Sequence, residues 1–117
     1  LVSAVGRRLQ QRLFAPGETL HAPHLVDVEV AHALRRYCLG GTMAPSRGQA
    51  ALEVLAGLRL IRHRHEALLP RIWELRDNLT AYDAAYVALA EALGAPLVTR
   101  DAALARSTGH SAAVELV

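Results

Sequence analysis

Apolar positions recur at two different periods along this chain, and the alternation of those periods predicts its elements. Leu1, Val2, Val5, Leu9, Leu13 and Phe14 keep a helical spacing, with Arg7, Arg8 and Arg12 outside it. Ala15-Pro-Gly-Glu ends that helix. A short strand follows over Thr19 to Pro23, and then a helix from about His24 to Leu39. Val28, Ala31 and Leu34 or Arg35 mark its core stripe, and Gly40-Gly41 stops it. Pro45-Ser46 opens the next helix, which carries Ala50, Leu52, Val54 and Leu55. Gly57 to His63 alternates weakly, with Leu58, Leu60 and Ile61 as a candidate strand.

The second half repeats the scheme. His65 to Asp77 reads as a helix with Leu68, Leu69, Ile72, Trp73 and Leu75 on its apolar face. Thr80 is a good N-cap, and Asp83 three residues on completes a capping-box-like pair. Leu79, Tyr82, Ala85, Tyr86, Leu89 and Leu93 then recur every three or four residues until Gly94. Ala95 to Thr99 is an apolar strand, Ala102 to Arg106 a helical turn or two, and Ala112 to Val117 a last strand. Helices alternating with short apolar strands predict an α/β class with a parallel sheet. No internal repeat or interdomain linker occurs, so residues 1–117 read as a single domain.

Composition narrows the class. With 117 residues and 52% apolar content, one modest core is available. Only one Trp and one Phe are present, so Ala, Leu and Val carry the packing. No apolar run reaches membrane-spanning length and no signal peptide is visible. The single Cys38 excludes an internal disulfide and fits a reducing, cytoplasmic setting. The net charge is +2, and all 13 basic residues are Arg. That usage fits phosphate and carboxylate contacts, but also a compositional bias of the genome.

Asp83, in the first turn of an apolar helix, and Asp101, just after a strand, are the candidates for chemistry. The open end of a parallel sheet gathers side chains from such positions. Two carboxylates drawn together there repel unless a cation joins them, and a hard divalent ion held by oxygen ligands fits that need. Each has a structural reading too. Asp83 stabilises a helix dipole, and Asp101 serves as the N-cap of the next helix. Glu29 borders the buried stripe of its helix, and its spacing alone favours a boundary residue with its head in solvent. Asp27, on another face, reads as solvated. Thr99 is either a β-branched strand residue or a hydroxyl donor to a carboxylate or phosphate. His63 and His65 give only a weak metal spacing. Arg62-His-Arg-His65 reads as a solvated edge more than a nucleic-acid patch, and Trp73, Tyr82 and Tyr86 read as core.

These residues together resemble a family. Thr80-Ala-Tyr-Asp-Ala-Ala-Tyr-Val-Ala-Leu-Ala-Glu, followed by Leu97-Val-Thr-Arg-Asp101, resembles the second half of a PIN-domain ribonuclease of the VapC toxin type. Ala22 to Arg36 resembles that family's Glu-bearing second helix, and His65 to Arg76 the segment before its third motif. The resemblance implies a PIN-like three-layer fold, a short parallel sheet flanked by helices. It implies a Mg²⁺- or Mn²⁺-dependent endoribonuclease, with Glu29, Asp83 and Asp101 as metal ligands and Thr99 beside them. It also implies an RNA substrate, a cognate antitoxin and a homodimer. The high apolar content of the helices over 24–39 and 46–56 agrees with a protein partner. The family's first acid, an Asp ending the first, central strand, has no counterpart here, and Leu1-Val-Ser-Ala-Val resembles the helix after it. The expectation is therefore an N-terminally incomplete domain. The alternative is a non-catalytic PIN-like module that binds RNA or protein.

Overall fold

One helix, from Ala81 to Leu93, organises the molecule because six of its residues are buried. The structure is a computed structural model, and it describes residues 11–117. The first ten residues of the helix expected over 1–14 lie outside the described residues. Gln11 to Leu13 are helical. The chain then runs β1 (Leu20–Pro23), α1 (Leu25–Leu39), α2 (Pro45–Gly57), β2 (Leu60–His63), a 3₁₀ turn (Glu66–Leu68) and α3 (Leu69–Glu74). It continues through α4 (Ala81–Leu93), β3 (Leu97–Thr99), α5 (Ala102–Ala105) and β4 (Val114–Leu116).

Both strand pairs are parallel, as alternating helices and strands demand. β1 pairs with β2 from Leu20↔Leu60 to Pro23↔His63, and the helical hairpin α1–α2 makes the crossover. β3 pairs with β4 from Leu97↔Val114 to Thr99↔Leu116, with α5 as the crossover. The parallel sheet is present as these two ribbons. Between them lies a cleft that Leu20 and His21 of β1, Leu97 and Val98 of β3, and Tyr86 and Leu89 of α4 all line.

Small side chains explain why α4 packs so deeply. Ala84 and Val87 are fully buried and join Leu75 and Leu104, with Ile72, Leu79, Leu97 and Ala112 packed around them. Ala88 and Leu89 meet Leu68 in an adjoining cluster. Thr80 caps the helix, its Oγ1 accepting the Asp83 N–H at 3.1 Å. Gly94 ends it in the left-handed region at φ 60°, and its N–H reaches the Ala90 and Glu91 carbonyls.

Several readings of the apolar pattern need correction. The expected helix over His65 to Asp77 is a 3₁₀ turn followed by the short α3. Pro70 in the first turn of α3 has no N–H to carry a helix through from the preceding segment. Leu68 and Leu75 are buried, but Leu69 and Trp73 are exposed, Trp73 at 68%. The Arg76 guanidinium lies over the Trp73 ring, 4.8 Å from its centroid. Val28 is likewise 68% exposed, and α1 buries no residue fully, because among the described residues only α2 and β1 pack against it closely. Tyr82, read as core, is exposed at 61%. Asp27, read as solvated, forms a two-pronged pair with Arg62, at 2.7 Å from Nε and 2.9 Å from Nη2. Arg62 also donates to the Leu55 carbonyl, so it ties β2 to both helices of the crossover.

A second pair is better enclosed. Arg71 of α3 donates to both oxygens of Glu91 on α4, at 2.8 and 3.0 Å. Glu91 also accepts from the Ser111 N–H and Oγ, each at 2.9 Å. Its side chain is only 13% exposed. The Arg71 guanidinium, and then the two Ser111 donors, hold its pKa down at about 2 from the usual 4.5. Because the folded value is the lower one, this carboxylate stabilises the fold fully above about pH 4.5. The contribution is lost as pH falls toward about 2. Glu91→Ala is expected to cost about 2–4 kcal/mol, since it strands a half-enclosed guanidinium and two serine donors. Asp27→Ala, at the more exposed pair, is expected to cost about 1 kcal/mol or less. Urea denaturation of both variants at pH 7 checks the order, and equal losses would refute it.

Candidate functional site

Three carboxylates from three separate elements share one neighbourhood at the N-terminal end of α4. Asp83 stands in the first turn of α4, held in place by the Thr80 cap. Asp101 stands two residues beyond β3 as the N-cap of α5, where its Oδ1 accepts from Ala103 N at 2.9 Å and Leu104 N at 3.3 Å. Glu29 projects from the middle of α1. The electrostatics of Asp83 register both others. Its pKa is raised, first by burial, then by the charge of Asp101, then by that of Glu29, against a smaller opposing effect of the Thr80 hydroxyl.

None of the ion pairs among the described residues involves Glu29, Asp83 or Asp101. This is unusual for the molecule, whose other enclosed acids, Asp27, Glu91 and Glu115, each face an arginine. A partly buried acid beside two further acids, with no cation to offset it, favours a hard divalent ion or a proton. The donor set therefore suits Mg²⁺ or Mn²⁺, which take oxygen ligands. As placed, however, no three His, Cys, Asp or Glu side chains among the described residues stand close enough together to hold a metal ion. Asp101 and Glu29 each have a hydrogen-bond partner of their own. Asp101 is turned onto the start of α5, and Glu29 is engaged by a phenol. Mutual repulsion supplies no force to bring them closer.

Thr99 is the last residue of β3, and its Oγ1 accepts the Asp101 N–H at 3.0 Å. That bond uses a lone pair of the hydroxyl and leaves its proton to be donated elsewhere. Thr99 thus sets the backbone turn that presents Asp101.

The pattern of apolar positions overlooked one participant. Tyr86, read as core, is half-buried and donates from its hydroxyl to Glu29 Oε1 at 2.5 Å. Its position three residues after Asp83 was the available signal, since residues so spaced share a helix face. The histidines take structural parts. His63 Nε2 lies 2.9 Å from His21 Nδ1 across the β1–β2 ribbon. His65 Nε2 accepts the Leu25 N–H at 3.1 Å and so caps α1. The Arg62 to His65 run is likewise engaged, Arg62 with Asp27 and Arg64 with Glu66.

Comparison with known proteins identifies the family. The family model described as PIN domain matches residues 4–109. A VapC ribonuclease of Mycobacterium bovis is 47% identical over 102 residues, which is 87% of this chain and 80% of that protein. Ribonuclease VapC1 of Mycobacterium tuberculosis is 46% identical over 98 residues, 83% of this chain and 74% of its own length. Ribonuclease VapC12 of the same species is 41% identical over 115 residues, 98% of this chain and 84% of its own. The resemblance seen in the motifs around Glu29, Asp83 and Asp101 thus extends along nearly the whole chain, and the protein belongs to the PIN-domain family, on its VapC-type branch.

Proposed function

We propose that this protein is an endoribonuclease that hydrolyses RNA phosphodiester bonds with Mg²⁺ or Mn²⁺, as the toxin of a toxin–antitoxin pair. The observation that carries the reading is the neighbourhood of Asp83, Asp101 and Glu29, which raises the Asp83 pKa and in which no ion pair to an arginine is made among the described residues. The relatives' names as VapC ribonucleases supply the substrate class. In this reading residues 1–117 are one PIN-like domain, and Glu29, Asp83 and Asp101 hold the ion, directly or through waters.

A divalent ion held by Glu29, Asp83 and Asp101 would supply Lewis-acid chemistry that offsets charge on phosphodiester oxygens. The chain's own residues do the rest. Three acids without a cation repel a polyanionic RNA, so they make productive binding depend on the ion. Asp101, fixed as a helix cap, and Asp83, fixed by the Thr80 cap, present their carboxylates from rigid backbone. The free proton of Thr99 is in place to be donated to a phosphate oxygen or to a neighbouring carboxylate.

The antitoxin and the second copy of a homodimer would cover the apolar side chains left exposed on α1 and α2. Val28, Tyr37, Leu39, Leu52 and Val54 are all solvent-facing there. The rival reading is a binding module without catalysis. One observation favours it: the acids are not gathered to ligating distance among the described residues.

Fluorescent RNA incubated with the protein separates the two. The expected result is cleavage that needs Mg²⁺ or Mn²⁺ and stops with chelator. Asp83→Asn, Asp101→Asn and Glu29→Gln should each lower the rate by about 100-fold or more, by analogy with the loss of one preorganised charge-stabilising group. RNA retention without any cleavage would establish the binding module instead.

Asp83→Asn should also stabilise the metal-free fold. A carboxyl whose folded pKa is raised destabilises the native state when ionised, and that penalty is relieved as pH falls through the raised value. Without divalent ions at pH 7, the variant is expected to melt slightly above the parent. The gap should close as pH falls through the raised pKa and the parent Asp83 takes up its proton. Thermal unfolding followed by circular dichroism measures both, and a lower melting point for the variant at pH 7 would refute this.

A further inference from the structure

We propose that Tyr86 is a positioning residue for the acidic site: its hydroxyl holds one oxygen of Glu29 and leaves the other turned out as the metal-facing ligand. This rests on the reading of Glu29 as a ligand. The contact joins helices far apart in sequence, since the two residues are 57 positions apart. Its 2.5 Å length lies at the short end for a hydroxyl donating to a carboxylate, the stronger class of such bonds.

The geometry fits a positioning role better than a merely structural tie. Glu29 has three rotatable side-chain bonds and sits mid-helix on α1, which buries no residue fully. Left free, its carboxylate would sample many positions, and a ligand so disordered loses entropy on binding an ion. Tyr86 has only two side-chain torsions. Its ring lines the cleft between the ribbons beside Leu20, Leu89 and Leu97, so α4 sets where the hydroxyl reaches. A carboxylate offers two oxygens, and the phenol occupies Oε1. Oε2 is therefore the oxygen available for monodentate ligation.

The phenol is suited to remain a donor. It donates to Glu29 and has the carboxylates of Asp83 and Asp27 in its neighbourhood. A phenolate in this place would repel all three acids and could not donate. Tyr86 and Asp83 lie on the same face of α4, so one rigid helix carries both a proposed ligand and the group that orients another. Ligating carboxylates are commonly oriented by such outer hydrogen bonds, whose removal costs about 10–100-fold in metal affinity.

The test is Mn²⁺ binding to the full chain by calorimetry, with RNA cleavage measured against Mn²⁺ concentration alongside. Tyr86→Phe keeps the ring and removes only the donor. It should weaken Mn²⁺ binding by about 10-fold or more. It should also raise the Mn²⁺ needed for half-maximal cleavage, with kcat recovering at saturating Mn²⁺. Glu29→Gln should weaken binding as well, and adding Tyr86→Phe to it should cost nothing further. Unchanged Mn²⁺ affinity in Tyr86→Phe, or losses that simply add in the double variant, would overturn the proposal. Unchanged affinity in Glu29→Gln would instead remove Glu29 from the ligand set, a separate failure. Should Tyr86→Phe not fold, Glu29→Asp serves, because it keeps the charge but draws it back from the phenol. It must then bind Mn²⁺ more weakly by a similar factor, and parent-like binding would again overturn the role of Tyr86.

Discussion

Burial of the small-residue face of α4 is the constraint on which the rest of the molecule depends. Ala84, Val87 and Ala88 are short enough for strands and helices to approach the helix axis closely, and each is almost fully removed from water. Both buried clusters are built on this helix. A larger side chain at any of these places would push the neighbouring elements off, and tightly packed interiors accept little extra volume. The same helix carries Asp83 and Tyr86, so the packing that makes the core also fixes the acidic site. A rigid, buried scaffold presenting polar groups at one end suits the metal site proposed for these acids.

Charge is distributed over the surface in two different ways. Away from the site, enclosed acids are answered by arginines, and the arrangement binds elements together. Arg62 with Asp27 closes the first crossover, and Arg71 with Glu91 closes the second half. At the N-terminal end of α4 that rule lapses. Asp83 is partly buried beside Asp101 and Glu29, and its raised pKa records the cost of the arrangement. Local violations of good folding practice mark candidate functional sites, and here the violation is an excess of negative charge.

The cleft between β1 and β3 shows how the two halves communicate. Each half is a parallel ribbon with its own crossover, and α4 touches both. Glu29 belongs to the first half, and Asp83, Tyr86 and Asp101 to the second. The hydrogen bond from Tyr86 to Glu29 is therefore a direct side-chain link between the halves at the site itself.

Much of this was legible in the residues alone. The alternation of helical and strand-like periods gave the α/β class, and short motifs around Glu29, Asp83 and Asp101 were enough to suggest the family. Local signals such as the Thr80 cap and the Gly94 stop depend on adjacent backbone only, which is why they appear where the residues place them. Periodicity could not say which apolar stripe would find a neighbour. Val28, Trp73 and Tyr82 keep a helical spacing yet remain exposed, because burial is a property of what packs opposite. Nor could spacing along one helix reveal that Asp27 would meet Arg62 and that Glu29 would meet Tyr86. Residue types and their spacing set the elements and the chemistry on offer. Only the packing of α4 between two ribbons decided which acids would be neutralised by arginine and which would be left facing one another, because charge pairing depends on distance in space rather than along the chain.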